Sequence, residues 1–347
     1  SVDRKTCCAL TKGLAFRATG LLKQFVRSNM GEIASVNNVD IWWEDYGEKS
    51  NTSVLLIMGA NASALYWDRT FIEELVANDL HVVIFDNRDV GKSSWFNSEP
   101  LLVKLAKFLP HAVSKKLVSS AFKSMVDDDG NFAMPDGKGA KYDLNDMAKD
   151  AICLMDHLGI EQAHIVGASM GGMITQIIGL DYPERALSLT PIMSSPGVGD
   201  ASLSGMAPSL MEGMQQMFLL NIQGRYLDGV VELYRALAGS RFPFDEVKFR
   251  NQAEPIMAHG HNAYAGHGDA VGAGPSRLNR LAEISLPTLV IHGTEDPILP
   301  LDHGMALANN IAGATTFIME GVGHEIPEAL MPEIVREMLA LFQKASK

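Results

Sequence analysis

The feature that most constrains the fold of this chain is a Gly-x-Ser-x-Gly pattern at residues 167–171, which joins a short apolar run directly to a helical pattern. A sharp strand-to-helix turn of this kind holds a nucleophile with its side chain above the edge of a sheet. Gly167 and Gly171 would let strand and helix pass without a Cβ clash. We therefore interpret Ser169 as a nucleophile rather than as an idle serine in a glycine-rich turn.

Strands and helices alternate along most of the chain. Apolar and β-branched runs predict strands at residues 32–36, 39–46, 52–58, 81–86, 164–167, 187–193, 287–292 and 315–319. Helical patterns between and after them cover residues 66–78, 143–158, 170–182 and 327–344. This order predicts an α/β fold with an eight-stranded, mostly parallel, doubly wound sheet covered on both faces.

Two longer tracts interrupt the alternation and suggest a division into units. The predicted units are a basic amphipathic N-terminal segment at 1–30, a core at 31–196 and 286–347 with a helical insertion at 97–142, and a helical cap at 197–285. Ligands of such sheets bind outside the carboxyl ends of the strands, so we expect the cap to cover the site.

Composition restricts the class of partner and the compartment. Hydrophobic residues make up 47% and charged residues 20% of 347 positions, a globular balance, and the net charge of −12 argues against nucleic acid as a partner. Three cysteines cannot form a disulfide framework, which favours the cytoplasm. No apolar run is long enough to predict a membrane span. The sequence leaves open whether the protein forms a homo-oligomer.

Two stretches are basic against this acidic background. Residues 1–30 contain six Lys and Arg against one acid, and residues 100–126 contain five Lys and no acid. Both stretches are also amphipathic, with apolar side chains recurring at helical spacing. Such helices either pack on the protein's own cap or lie on an anionic membrane surface, and the sequence leaves both alternatives open.

A serine nucleophile needs a base and an acid, which on this architecture follow it in the order acid, then base. Asp296 lies just after the predicted seventh strand, and His324 lies just after the eighth. We therefore predict Ser169, Asp296 and His324 as the catalytic residues. Glu295 is the rival acid; Asp296 is preferred because of its spacing from the strand and because Pro297 fixes the turn.

The remaining histidines fit structural roles better. His292 belongs to a strand end, and His164 lies within the strand before the elbow. His259, His261 and His267 cluster in the predicted cap, but their spacing matches no zinc pattern. The sequence therefore predicts no metal site and no cofactor.

An acyl-transfer site also needs backbone donors for the oxyanion. The amide of Met170 would lie at a helix N-terminus, which favours negative charge. The second donor should come from the loop after the strand at 52–58, and we predict the amide of Ala60. The side chain of Asn61 is the alternative donor.

Four motifs together resemble the α/β-hydrolase superfamily from about residue 31 onward. They are MGANASAL at 58–65, FDNRDVGKS at 85–93, GASMGGM at 167–173 and HGTEDP at 292–297. They are similar to a bacterial branch that includes carboxylesterases and aclacinomycin-type methylesterases. The resemblance implies a serine esterase with the triad named above and a helical cap, acting on a small-molecule or lipid-like ester.

Other functions remain as alternatives. GKS at 91–93 suggests a phosphate-binding loop, but the glycine that this loop requires is replaced by Asp86. Another hydrolase chemistry on the same fold, such as aminopeptidase or C–C bond hydrolysis, is the second hypothesis. A non-catalytic ligand-binding protein is the third.

Overall fold

The sheet of this protein has eight strands in the computed structural model, which describes residues 31–124 and 137–345. The strands are β1 (Glu32–Val36), β2 (Val39–Tyr46), β3 (Thr52–Ile57), β4 (Leu80–Phe85), β5 (Ala163–Ala168), β6 (Ala186–Ile192), β7 (Leu289–Gly293) and β8 (Thr315–Met319). Their order is β1-β2-β4-β3-β5-β6-β7-β8, with β2 antiparallel to both of its neighbours and the rest parallel. The predicted eight-stranded, mostly parallel sheet is confirmed.

Helices connect the strands. They are α1 (Arg69–Ala77), α2 (Leu101–Ala106), α3 (His111–Ser124), α4 (Leu144–His157), α5 (Met170–Asp181), α6 (Pro208–Ile222), α7 (Tyr226–Leu237), α8 (Glu246–Gly260), α9 (His267–Ala273), α10 (Leu301–Asn310) and α11 (Met331–Ala345). In the described part of the chain, none of them combines the length and apolar composition that a membrane span requires.

The central strands of the sheet are buried on both faces, which explains why they are largely apolar. In β3, Leu55 and Ile57 pack into the core beneath α4 and α5, whereas Val54 and Leu56 pack into a second core beneath α1 and α11. Successive side chains of a strand point to opposite faces, so a strand covered on both sides is apolar at most of its positions. Because β3 to β8 run parallel to one another, the carboxyl ends of β3, β5, β7 and β8 lie along one edge.

The start of α1 differs from the prediction of a helix over residues 66–78. A short 3-10 turn at Ala64–Tyr66 precedes it, and α1 begins only at Arg69. Asp68 ends the intervening turn because its side chain accepts a hydrogen bond from the amide of Thr70 at 2.7 Å, which is an N-cap contact. The other predicted elements agree with the structure to within a few residues.

Helices α6 to α9 lie between β6 and β7, where the cap was predicted. The insertion joins them: Val118 of α3 is buried against Leu219 and Met211 of α6. The boundaries of the cap at residues 197 and 285 stay a prediction. The predicted basic segment at 1–30 and residues 125–136 of the insertion lie outside the described residues.

His164 on β5 is a buried polar residue within the sheet. Its ring stacks on Phe342 at a centroid distance of 3.8 Å, and its Nδ1 lies 2.8 Å from the hydroxyl of Ser188. Burial disfavours the charged imidazolium and lowers the pKa of His164 from 6.5 to about 4. The ring therefore stays neutral in the native state where the unfolded chain would already be protonated.

This difference predicts a pH-dependent stability. The contribution of His164 is fully present above pH 6.5 and is lost as the pH falls toward 4, because only the unfolded state binds the proton in that range. When the pH falls from 7 to 4, the wild type should lose ~3 kcal/mol more of its free energy of unfolding than the double variant His164→Phe/Ser188→Ala, which has no imidazole at position 164. Denaturant unfolding at the two pH values measures the shift.

Ser188→Ala alone is the control, because it keeps the imidazole and should retain the wild-type pH dependence. If the double variant lost as much stability as the wild type between pH 7 and pH 4, His164 would not be the source of the pH dependence.

Candidate active site

The turn between β5 and α5 holds Ser169 at a positive φ of 53° with ψ −118°. This conformation is strained for a residue with a side chain and persists only where the surroundings enforce it. The amide of Ser169 donates to the carbonyl of Ile192 at 2.9 Å, and the carbonyl of Ser169 accepts from the hydroxyl of Ser194 at 2.8 Å. A Cβ on Gly171 would collide with the carbonyl oxygen of Ile57. The backbone therefore has the geometry of a nucleophile elbow.

His324 and Asp296 are joined by a hydrogen bond between turns that follow β8 and β7. Nδ1 of His324 lies 2.7 Å from Oδ2 of Asp296. A carboxylate only accepts, so Nδ1 carries the proton, and Nε2 keeps the lone pair that a general base needs. The amide of His324 also donates to the carbonyl of Leu237, the last residue of α7, at 2.8 Å. Helix α7 thus helps to fix the backbone that carries the imidazole.

The turn after β7 keeps Asp296 ionised although only 4% of the residue is exposed. Burial alone would raise the pKa of this carboxyl, but the neighbouring His324, together with backbone donors, lowers the pKa below its ordinary value. Oδ1 accepts from the amides of Ile298 and Leu299 at 3.0 and 2.9 Å. The carboxylate can therefore orient His324 and stabilise a positive charge on it.

The rival residues have other partners. Glu295 accepts hydrogen bonds from both the amide and the hydroxyl of Ser240, each at 2.7 Å. His292 is fully buried, and its Nε2 donates to the carbonyl of Leu299 at 2.8 Å. Burial lowers the pKa of His292. These contacts favour structural roles for both residues.

The three cap histidines do not converge. Nε2 of His259 donates to Oδ2 of Asp86 at 2.7 Å, His261 lies with its ring 6.0 Å from that of Tyr226, and His267 is fully buried elsewhere. Within residues 31–124 and 137–345, no group of three or more His, Cys, Asp or Glu side chains is arranged to hold a metal ion.

The loop after β3 passes beside Ser169. A Cβ on Gly59 would lie 3.1 Å from Cβ of Ser169. Ala60, Asn61 and Met170 line the same cavity as Ser169. The backbone amide of Asn61 is engaged elsewhere, because it donates to Nδ1 of His267 at 2.7 Å. The amides of Ala60 and Met170 therefore stay the predicted oxyanion donors, with the Asn61 side chain as the alternative.

Ser169 and His324 open into one large cavity of about 2130 Å³ beneath the cap. Aromatic and aliphatic side chains from the cap form much of its wall. Among these side chains are Met206, Met214, Met217, Phe218, Leu233, Tyr234, Phe244 and Phe249. Tyr66 of the core stacks on Tyr234 of the cap at a centroid distance of 5.6 Å. The wall is thus mainly apolar and contains adaptable methionines.

A second Ser–His–Asp arrangement lies at the opposite end of the sheet. The hydroxyl of Ser53 is 3.0 Å from Nδ1 of His81, whose Nε2 is 3.0 Å from Oδ2 of Asp45. Ser53 is an ordinary residue within β3 and is 7% exposed. It lacks the elbow and the helix N-terminus that Ser169 has. We interpret it as a structural tie, and it offers a matched control for Ser169.

Two side chains that touch the loop after β3, those of Asn87 and His267, were not predicted from the sequence as part of the site. Nδ2 of Asn87 donates to the carbonyl of Met58 at 3.0 Å, and His267 accepts from Asn61. Asn87 could have been found, since it follows β4 and parallel neighbours end at the same edge. No pattern in the sequence relates His267 to a loop 206 positions away.

The chain is similar to known hydrolases in sequence and in fold. The sequence model of the alpha/beta hydrolase fold matches residues 52–328. Rhodomycin D methylesterase DauP from Streptomyces sp. (strain C5) is 29% identical over 317 residues, which cover 85% of this chain and 92% of that protein. The 2-hydroxy-6-oxo-6-phenylhexa-2,4-dienoate hydrolase of Comamonas testosteroni is 33% identical over 174 residues, which cover 49% and 59%. The crystal structure of a membrane phospholipase A, described as a bacterial virulence factor, aligns with a TM-score of 0.64 at 20% identity, covering 99% and 97%.

The matched region contains the elbow, Asp296 and His324. The similarity to a methylesterase confirms the resemblance that the four motifs indicated. The structural alignment, at its low identity, speaks for the fold alone. The chain belongs to the alpha/beta hydrolase fold family.

Proposed function

We propose that this protein hydrolyses carboxylic esters through an acyl-enzyme on Ser169. The observation that carries the proposal is the buried Asp296–His324 hydrogen bond, which leaves Nε2 unprotonated in the cavity that also receives the strained serine. An idle serine would need neither the elbow nor a carboxylate-oriented imidazole. The similarity to rhodomycin D methylesterase supports the same chemistry.

The proposed reaction uses the side chains and amides of the chain itself. Ser169 Oγ attacks the ester carbonyl carbon while Nε2 of His324 takes its proton, and the amides of Ala60 and Met170 hold the resulting oxyanion. The intermediate collapses as His324 returns the proton to the leaving alcohol. Water, deprotonated by His324, then cleaves the acyl-enzyme and releases the acid. Asp296 stabilises the imidazolium in both halves.

The cavity favours an ester with a bulky apolar group. Its volume of about 2130 Å³ exceeds the ~300–1,000 Å³ of ordinary small-ligand pockets. The Lys and Arg side chains that line it, within the described residues, are Lys248 and Arg69, and these pair with Glu328 and Glu73. A substrate carboxylate, such as that of a dienoate, would find these cations already engaged. Ester hydrolysis is therefore preferred over the C–C bond hydrolysis named for some relatives.

We also propose that the insertion contacts an anionic membrane surface peripherally, while the protein itself is cytoplasmic. Large apolar side chains of α2, α3 and their connection point to solvent: Phe108 is 86% and Leu101 71% exposed, and Leu105, Leu109, Val113 and Leu117 are also exposed. Lys104, Lys115 and Lys116 are exposed beside them, and residues 100–126 contain no acid. Apolar side chains flanked by lysines suit the headgroup region of an anionic bilayer.

Ser169→Ala should abolish hydrolysis of a nitrophenyl ester, lowering kcat by about 10⁴-fold or more, because no other group can form the acyl-enzyme. Release of nitrophenol measures the loss, and labelling by a fluorophosphonate probe should disappear with it. Ser53→Ala is the matched control and should keep both activity and labelling. If labelling were lost in Ser53→Ala but retained in Ser169→Ala, the nucleophile would be Ser53 at the opposite end of the sheet, and the proposal for Ser169 would be refuted.

Asp296→Asn should lower kcat by about 10⁴-fold, because the amide can no longer hold His324 in the tautomer with a free Nε2. Glu295→Gln, one position earlier, should stay within a few-fold of wild type, because Glu295 contacts Ser240 instead. Steady-state kinetics on one ester compares the two variants. Equal effects would argue against Asp296 as the orienting acid.

Leu105→Glu/Phe108→Glu should weaken binding to phosphatidylglycerol-containing vesicles at least about tenfold, because it removes two inserted side chains and adds charge of the wrong sign. Co-sedimentation at low and high salt measures the binding. Val247→Glu is the control, since Val247 is 71% exposed on α8, outside the insertion. Wild-type binding that ignores lipid charge would contradict the proposal.

A further inference from the structure

The loop from residue 58 to residue 64, which carries the proposed oxyanion donor, is held by side chains from outside it. Nδ2 of Asn87 donates to the carbonyl of Met58 at 3.0 Å, and Oδ1 of Asp86 accepts from the amide of Ala64 at 2.8 Å. His267 accepts from the amide of Asn61. Asn87 and Asp86 belong to the motif at 85–93, whose residues were not predicted from the sequence to act in the site.

Two of these contacts lie on either side of the peptide plane that carries the Ala60 amide, the proposed oxyanion donor. The amide of Ala60 lies in the plane between residues 59 and 60. Asn87 holds the preceding plane through the Met58 carbonyl, and His267 holds the following plane through the Asn61 amide. A peptide plane moves only by rotation about the φ and ψ of its neighbours, so fixing both neighbours limits the direction of the Ala60 N–H.

His267 is built to accept at this position. It is fully buried, and its Nε2 lies 2.7 Å from the carbonyl of Arg88. A carbonyl cannot donate, so Nε2 carries the proton and Nδ1 presents its lone pair to Asn61. Burial lowers the pKa of His267, which keeps the ring neutral. Asn61 itself has φ +59°, a conformation that asparagine tolerates but that still needs support.

The cap segment that delivers His267 is anchored independently. The amide of Gly266 donates to Oδ2 of Asp89 at 3.0 Å, and Nδ2 of Asn262 donates to the carbonyl of Asn97 at 3.0 Å. The hydroxyl of Tyr142 donates to the same Asp89 oxygen at 2.7 Å. His267 is therefore held in place by a polar network, not merely packed into a gap.

We propose that His267, assisted by Asn87, is a positioning residue of the oxyanion hole: it fixes the peptide plane of Asn61 so that the Ala60 amide points at the developing oxyanion. The inference rests on the proposed ester hydrolysis. It makes the cap a contributor to the catalytic geometry of the core as well as a cover for the cavity. Because the oxyanion forms only in the transition state, the effect should fall on kcat and not on KM.

Two substitutions of similar size separate the two contacts of His267. In His267→Asn, Oδ1 occupies the place of Nδ1 and can accept from Asn61, while the contact with Arg88 is lost. In His267→Gln, the terminal amide reaches the place of Nε2 and can donate to Arg88, while the acceptor for Asn61 is lost. Both should lower Tm, because each leaves one buried polar group without its partner.

The test is steady-state and burst kinetics of wild type and both variants on one nitrophenyl ester. We expect His267→Gln to lower kcat and the burst rate by about 10- to 100-fold with little change in KM, approaching the loss of one oxyanion donor. We expect His267→Asn to stay within a few-fold of wild type. Asn87→Asp, which replaces the donor to Met58 by an acceptor, should resemble His267→Gln.

Equal kinetics in His267→Asn and His267→Gln, whether both impaired or both active, would overturn the positioning role. A loss confined to KM would overturn it too. An inactive wild type would refute ester hydrolysis and the inference with it, whereas an active wild type with equal variants refutes only the role of His267.

Discussion

The positive φ of Ser169 is the constraint on which the rest of the site depends. Strain of this kind costs roughly 1–3 kcal/mol and relaxes unless the surroundings resist. Resistance comes from neighbouring strands: the carbonyl of Ile192 at the end of β6 accepts the serine amide, and the carbonyl of Ile57 at the end of β3 packs against Gly171. A side chain anchored to three strands has a fixed height above the sheet edge, so the loops that follow β3, β7 and β8 can be built around it.

Hydrogen bonds of buried polar side chains join the cap to the loop after β4, in addition to the apolar core that Ala270 and Val271 of α9 share with α4. Asp86 accepts from His259 of α8, and Asp89 accepts from the amide of Gly266. Arg88, between them, makes a bidentate pair with Asp150 of α4 at 2.7 Å for both contacts. Removing one member of such a pair strands a buried charge, which is costly. Because hydrogen bonds are directional, these contacts define the position of the cap relative to the loop after β4 more sharply than apolar packing alone would.

The sequence predicted what depends on short-range pattern. Mainly apolar runs identified the strands, because a strand covered on both faces favours apolar residues at most of its positions, and Gly-x-Ser-x-Gly identified the elbow. Asp296 and His324 followed from the rule that parallel strands end at one edge. The start of α1 was placed too early because the N-cap contact of Asp68 competes with a helical pattern that already begins at Tyr66. His267 was missed as a contact of the loop after β3 because its partner, Asn61, is distant in the chain, and no periodicity relates two loops that meet only through tertiary structure.

Helix α3 brings the outer surface and the cavity into one element. Val118 is buried and lines the cavity, whereas the adjacent Leu117 and, four positions before it, Val113 are exposed. Positions three or four apart share a face and adjacent positions do not, so residues 117 and 118 necessarily face different environments. Helix α3 therefore bounds the cavity on one side and presents apolar side chains to solvent on the other. Because α3 packs on α6, which supplies Met214 and Met217 to the wall, a shift of α3 would be transmitted to the most adaptable side chains of the cavity.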